Sequence, residues 1–281
     1  MKTAIVTDST AYIPENIREQ YNIKMCPLNV IFGLESYQEE TELTADDFYE
    51  KVKTVSELPK TSQPAIGLFV KTFEQLVADG YDAVISIHLS SGISGTYQAA
   101  ISAGDMVKNI TVFPFDSEVS AMPLGFYVLE AAEMAVQGKG TEEILERLNE
   151  MKQSMRAYFL VDDLAHLQRG GRLNGAQALI GSLLQVKPIL HFEDKKIVPF
   201  EKIRTHKKAI KRLLELFVED AKTGVPIKAS LIHANRLEIV KELKAQIQSE
   251  YPNVEIDISY FGAVTGTHLG EGALGLGWYK K

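Results

Sequence analysis

A single cysteine, Cys26, stands in 281 residues, a scarcity that excludes an internal disulfide framework and suits a reducing compartment. Long apolar runs are missing as well. None reaches the ~18 residues a membrane span requires, so stable bilayer insertion is not expected and contact with a membrane surface is at most transient. The opening Met1-Lys2-Thr3-Ala4-Ile5-Val6-Thr7-Asp8 runs into an acidic strand end, unlike a secretory signal, and the expected location is cytoplasmic. Positive charge is in deficit: 30 Lys and Arg against 37 Asp and Glu leave a formal net charge of −7. That balance argues against non-specific nucleic-acid binding. There is no Walker motif. The six histidines show no metal-ligand spacing and Cys26 has no ligand partner nearby, so neither metal nor cofactor is expected.

What remains is an ordinary globular composition, 45% apolar and 24% charged, in a chain long enough for two domains. Apolar runs at 3–7, 82–89 and 110–116 read as strands. Helical patterns near 66–79, 95–107, 120–137 and 141–154 alternate with them, and Pro14 opens one more. Strands this apolar, alternating with helices, form a parallel sheet covered on both faces. Past about residue 155 strands dominate, at 156–161, 187–192, 196–203, 226–233, 253–260 and 273–279, with helices at 175–184, 205–221 and 235–249. His191–Ile197 reads as a hairpin, which makes the second sheet mixed. The expected division is therefore 1–160 and 161–281. The helices at 120–137 and 175–184 are apolar nearly all round. Such helices are buried, either as plain core or as the roof of a slot for an apolar ligand.

Three hydroxyl clusters fall at strand ends or in adjacent loops, where open α/β sheets bind ligands: Asp8-Ser9-Thr10, Thr61-Ser62-Gln63-Pro64 and Ser90-Ser91-Gly92-Ile93-Ser94-Gly95-Thr96. Hydroxyls donate to carboxylate or phosphate oxygens, and the third cluster leads into a helix whose N-terminus favours an anion. Ser and Thr also cap helices, but several clusters together tilt towards an anion site. His268 sits among small residues, beside hydroxyls, and suits a carboxylate partner. Arg169-Gly170-Gly171-Arg172 presents guanidinium groups suited to a planar carboxylate or phosphate. Gly92-Ile93-Ser94-Gly95 breaks the spacing of a nucleophile elbow. Gly270-Glu271-Gly272-Ala273-Leu274-Gly275 lies where no βαβ unit can follow.

These segments, in this order and spacing, resemble the DegV family over essentially the whole chain, and within it the fatty-acid-binding subunit (FakB) of bacterial fatty acid kinase. The resemblance rests on Val6-Thr7-Asp8-Ser9-Thr10, Thr61-Ser62-Gln63-Pro64, Ser90–Gln98, Gly171-Arg172-Leu173, Lys202-Ile203-Arg204-Thr205 and His268-Leu269-Gly270-Glu271-Gly272. It implies a two-domain α/β fold, an N-terminal three-layer parallel sheet and a C-terminal two-layer mixed sheet with the acyl-chain tunnel, and the ligand at their interface. It implies that Thr61, Ser62, Ser94 and His268 hold the carboxylate of one long-chain fatty acid. Arg172 and Arg204 match arginines used near the carboxyl end and for engaging a partner. That partner is a separate ATP-dependent kinase that converts the acid to an acyl-phosphate for phospholipid synthesis, which makes this chain a carrier and not an enzyme. Burying about fifteen methylenes at ~0.8 kcal/mol each gives a gross term of ~12 kcal/mol, from which ordering and desolvation subtract.

Two further readings stay open. One is a serine esterase or acyl hydrolase using Ser94 and His268 with Asp163 or Glu271. The other is a binding module for another anion, such as a sugar phosphate. Between Lys195 and Arg212 eight Lys and Arg accompany one acid, Glu201. That run is either a solvated helix face or a docking patch, with Lys202, Lys207 and Lys208 facing an acidic kinase surface.

Overall fold

The computed structural model describes residues 2–173 and 187–281; the helix expected at 175–184 lies outside them. The chain opens with β1 (Thr3–Asp8), a single 3-10 turn (Ser9–Ala11) and α1 (Glu15–Gln20). Then come β2 (Lys24–Cys26), β3 (Asn29–Phe32), β4 (Glu35–Gln38), α2 (Ala45–Thr54) and β5 (Lys60–Ser62). The alternating part follows: α3 (Ile66–Ala78), β6 (Ala83–His88), α4 (Thr96–Gly104), β7 (Thr111–Asp116), α5 (Met122–Val136) and α6 (Thr141–Ser154).

The later part holds β8 (Arg156–Leu160), α7 (Ala165–Arg169), β9 (Ile189–Glu193), β10 (Lys196–Glu201) and α8 (His206–Ala221). It ends with β11 (Ile227–His233), α9 (Leu237–Glu250), β12 (Val254–Tyr260), α10 (Ala263–Leu269) and β13 (Leu274–Lys280).

The first sheet runs β2-β1-β6-β7, and every pairing is parallel. β6 is buried at all six positions, as a strand covered on both faces must be. Phe69, Phe73 and Leu76 of α3 with Ala99, Ala100 and Ala103 of α4 cover one face; α5 and α6 cover the other. The second sheet runs β10-β9-β8-β13-β11-β12 and is mixed, with β11 and β12 parallel and the remaining pairs antiparallel. Its far face is sealed by α8 and α9 through Leu213, Phe217 and Val240.

The apolar character of α5 now has a cause. One side of the helix packs on Ile5, Ile85 and Ile87 of the first sheet, the other on Ile232 and Tyr279 of the second. The Phe126 and Tyr279 rings lie 5.4 Å apart. The first half of α5, buried from Met122 to Val128, has no solvent face to leave polar, and its two acids, Glu130 and Glu133, fall in the half-buried second half. β8 (Arg156–Leu160) pairs with β9 and β13 and so lies within the second sheet.

A third sheet, β4-β3-β5, is small and antiparallel. Its register sets Thr61 opposite Val30 and Ser62 opposite Asn29. The hairpin expected at 191–197 is present as β9–β10, with Lys196 opposite Glu193 and a two-residue tip. Both tip residues, Asp194 and Lys195, have positive φ, 47° and 68°, the geometry whose twist matches flanking strands. Among the described residues no helix is long and apolar enough to cross a membrane.

Candidate functional site

A cavity of about 350 Å³ lies between the two sheets, within the range of small-molecule sites. Its floor comes from alternation along two strands. Leu274, Leu276 and Trp278 of β13 point into the far core; with a period of two, Gly275 and Gly277 face the other way. β8 pairs Phe159 with Gly275 and Ala157 with Gly277, so the floor is partly bare backbone, against which the Phe261 and Pro123 rings pack closely. Ala121 and Pro123 at the start of α5 and Val264 and Leu269 of α10 wall it with apolar groups, and Phe192 and Ile197 of the β9–β10 hairpin do the same.

The polar groups gather around His268. On α10 it sits three residues after Thr265, one turn along the same helix face, and both line the cavity. Its Nε2 lies 2.8 Å from the Thr61 Oγ1; its Nδ1 is buried without a partner. Burial, the charge of Arg172 and that of His166 hold the imidazole neutral down to about 3. Ser62 lines the cavity and accepts a hydrogen bond from the Asn29 Nδ2 at 3.3 Å. Ser94 lines it too, while its Oγ accepts from the Thr96 N–H at 3.3 Å, just ahead of α4.

Arg172 supplies the charge. Its Nε donates to the Ile93 carbonyl at 3.1 Å and its Nη1 to the Gly170 carbonyl. The group is half-buried, and burial alone pushes its pKa down. No carboxylate among the described residues pairs with it. A desolvated cation without a counterion suits an anion, and the hydroxyls of Thr61, Ser62 and Ser94 and the imidazole of His268 line the same cavity.

Several expectations separate here. Arg204 does not join Arg172 at the cavity; it is exposed between β10 and α8, near Lys202, Lys207 and Lys208, which are exposed as well. Asp8-Ser9-Thr10 is not part of the cavity wall. Asp8 accepts from the Thr10 N–H and hydroxyl at 3.1 and 2.6 Å, and its other oxygen meets the Leu89 N–H and His88 Nδ1, both at 3.0 Å. Ser86 and His88 complete a Ser–His–Asp chain at 2.7 Å, but all three residues have 0% exposure, so it ties β1 to β6 and admits no substrate. Ser90 and Ser91 are spent on the Lys195 carbonyl and the Asp116 carboxylate, both at 2.6 Å.

The hydrolase constellation is not assembled. His268 bonds Thr61 and not Ser94, its Nδ1 lacks a carboxylate, Asp163 accepts from the Ala165 N–H and Glu271 from the Asn235 amide. Triad chemistry needs a base oriented by an acid. Cys26 is fully buried, with its thiol pushed up to about 12 by burial, which leaves no thiolate nucleophile. Among the described residues no group of three or more His, Cys, Asp or Glu could hold a metal.

Gln63, Ser120 and Thr265 also line the cavity and were not singled out from sequence. A Cβ on Gly95 would fall 2.0 Å from the Gln63 Oε1, so the glycine that follows Ser94 makes room for that amide. Ser120 is 8% exposed, and its hydroxyl lacks a partner. The adjacency of Gln63 to Thr61-Ser62 was the available signal for the first, and Thr265 is one of the hydroxyls beside His268 in the sequence; nothing in the sequence marked Ser120.

The family described as "Uncharacterised protein, DegV family" has a model that matches residues 2–281. Protein DegV of Bacillus subtilis (strain 168) is 60% identical over 282 residues, covering 100% of both chains. The crystal structure of DegV from Bacillus subtilis, described as a fatty acid binding protein, superposes with a TM-score of 0.95 at 60% identity over 100% of each chain. A Streptococcus agalactiae structure, described as a fatty acid binding DegV family protein, superposes with a TM-score of 0.92 at 34% identity, covering 100% of this chain and 99% of that one.

Proposed function

The chain belongs to the DegV family, and from that premise we propose that it binds one long-chain fatty acid and presents the carboxylate to a separate ATP-dependent kinase. The kinase converts the acid to an acyl-phosphate, which feeds phospholipid synthesis. The chain itself is a cytoplasmic carrier without cofactor, divided into an N-terminal unit over 1–160 and a C-terminal one over 161–281.

One observation carries the reading. The apolar walls of the cavity run against a half-buried Arg172, which has no counterion among the described residues, with His268, Thr61, Ser62 and Ser94 beside it. Such a space matches an amphiphile with a single anionic end. The acyl chain would lie over Gly275 and Gly277, with its carboxylate at the hydroxyl–imidazole–guanidinium cluster. A neutral His268 donates a hydrogen bond without adding charge, and Arg172 balances the carboxylate. The solved relatives described as fatty acid binding proteins support the same ligand class. The exposed Lys202, Arg204, Lys207 and Lys208 form the proposed kinase-facing patch.

Calorimetric titration of delipidated protein with oleate and with oleyl alcohol tests the ligand assignment. The account expects stoichiometric oleate binding and at least about tenfold weaker alcohol binding, the loss of a charge-assisted hydrogen bond. Equal affinities would remove the carboxylate site. Added kinase and ATP should then yield an acyl-phosphate trappable by hydroxylamine, and no trapped product would remove the presenting role.

A further inference from the structure

Glu39 follows β4 in a Glu39-Glu40 pair that reads as a solvated turn, yet its exposure is 0%. Its Oε2 lies 2.5 Å from the Ser9 hydroxyl. Its Oε1 meets the Tyr12 hydroxyl at 3.0 Å and accepts the Val264 N–H at 2.7 Å. No cation among the described residues pairs with it. The Ser9 oxygen in turn accepts the Leu28 N–H at 3.1 Å. Tyr12 reaches onward to Thr265, 2.7 Å from its Oγ1, and accepts the Thr265 N–H at 3.3 Å. One carboxyl group thus joins the end of β1, the small sheet and the first turn of α10.

That turn has no cap of its own: Gly262 precedes α10 and offers no side chain. Orphan N–H groups at a helix start need an acceptor, and Glu39, distant in sequence, provides it. The fit is close. A Cβ on Gly262 would lie 2.3 Å from the Tyr12 ring and 2.9 Å from the Glu39 Oε1. α10 is only seven residues long and carries Thr265 and His268 into the cavity, so whatever fixes its first turn fixes both.

We propose that Glu39 is a positioning residue for the anion-binding head of the cavity, holding α10 so that Thr265 and His268 face the ligand carboxylate; this rests on the fatty-acid reading above. The same group makes the head sensitive to alkali. Burial raises the Glu39 carboxyl to about 8, so it is neutral below that pH and charged above it. A charge appearing one hydroxyl away from Thr265 repels a bound carboxylate in a poorly solvated site. Affinity therefore falls as pH rises through about 8. The other groups around it do not produce that step. Burial pushes Tyr12, Tyr49 and Tyr260 above their usual value, Glu40 is also raised by burial, and His268 is neutral down to about 3. Arg18 of α1 acts on Glu40 and Glu271 on Tyr49; neither is a contact of Glu39.

Oleate titration of the delipidated chain at about pH 6.5 and about pH 9.5, for wild type, Glu39→Gln and Glu39→Ala, reads this directly. Wild type should lose about tenfold in affinity across the interval. Glu39→Gln, which keeps the shape without the charge, should change less than about threefold, and Glu39→Ala should bind weakly at both pH values. Oleate's own titration is common to all three. Parallel losses in wild type and Glu39→Gln, or wild-type affinity in Glu39→Ala, would overturn the proposal. If Glu39→Ala does not fold, the Glu39→Gln profile decides alone. The ligand-free imidazole resonance of His268 gives a lipid-independent reading: a step near pH 8 in wild type, absent in Glu39→Gln. Failure to bind oleate removes the proposed function, whereas a missing step removes the role of Glu39.

Discussion

Thr61 and His268, 207 positions apart in the chain, meet with 2.8 Å between the threonine Oγ1 and the imidazole Nε2. One residue comes from the edge of a three-stranded sheet, the other from a seven-residue helix, and the contact joins the N-terminal part of the protein to the C-terminal part. The cavity head is therefore assembled by long-range packing, and its chemistry depends on that packing being intact.

Two buried groups shape stability in opposite directions of pH. His268 is held to about 3, below the usual imidazole value of 6.5; between those values the unfolded chain binds the proton and the native one does not, so stability falls on acidification. Glu39 is raised to about 8 from 4.5; between those values the native chain holds the proton, so stability falls as pH rises. Each slope is at most ~1.4 kcal/mol per pH unit. Denaturant midpoints across pH should lose the fall below about 6.5 in His268→Gln and the fall between 4.5 and about 8 in Glu39→Gln. Falls that persist in both variants would reject these assignments.

Gly277 lets the Pro123 ring pack against the cavity floor, on the path proposed for the acyl chain. A Cβ there would lie 2.4 Å from the Pro123 Cγ, and a ring at the start of a helix cannot swing away. Gly277→Ala should cost ~1–3 kcal/mol of stability through overpacking and shift the recovered fatty acid to chains shorter by about two carbons. Lipid extraction from wild type and variant measures this; an unchanged chain-length distribution would place the acyl tail elsewhere.

The tip of the β9–β10 hairpin closes on the first half of the chain. Lys195 pairs with Asp116 at 3.0 Å, and its carbonyl accepts the Ser90 hydroxyl at 2.6 Å. With the Lys195 side chain 44% exposed, the ion pair contributes at most ~1 kcal/mol, so Lys195→Ala should barely shift the melting temperature. Gly92→Ala is different, because its Cβ would fall 2.3 Å from the Lys195 carbonyl oxygen. That variant should speed lipid release in stopped-flow measurements while Lys195→Ala does so weakly. Equal release rates in all three proteins would mean that the tip does not guard the cavity.

Much of the architecture was legible because its signals are long or strongly patterned. β6 is six buried residues in a row, four of them apolar, α5 is apolar apart from Glu130 and Glu133, and a two-residue tip marks the β9–β10 hairpin. The hydroxyl clusters, His268 and the Arg169–Arg172 loop stood out in the sequence, the family resemblance narrowed them to Thr61, Ser62, Ser94, Arg172 and His268, and the fold brings all five to one cavity. The small sheet was not legible: its strands are three or four residues long, and β4, Glu-Ser-Tyr-Gln, is half-exposed with no apolar alternation. α10 was missed because Ala263–Leu269 contains a glycine, two threonines and no side-chain cap; its start is stabilised by Glu39 instead, a tertiary contact that local pattern does not carry. Arg204 shared a motif-level resemblance with Arg172, but only the fold separates a cavity residue from a surface one.

The surface patch can be tested apart from the cavity. Lys207 and Lys208 are exposed in the first turn of α8, and reversing both to Glu should weaken association with a kinase, more so at low salt. Oleate affinity should stay unchanged. Undiminished kinase binding would move the docking surface elsewhere.

The central claim is that the cavity holds one long-chain fatty acid by its carboxylate, and mass spectrometry of the purified protein, native and then after organic extraction, tests it most directly. The account predicts one C14–C18 fatty acid per chain in wild type, strongly depleted in His268→Ala and Thr61→Ala proteins that remain folded. A wild-type protein that carries no lipid and takes up neither oleate nor palmitate, or variants that retain the full complement, would contradict it.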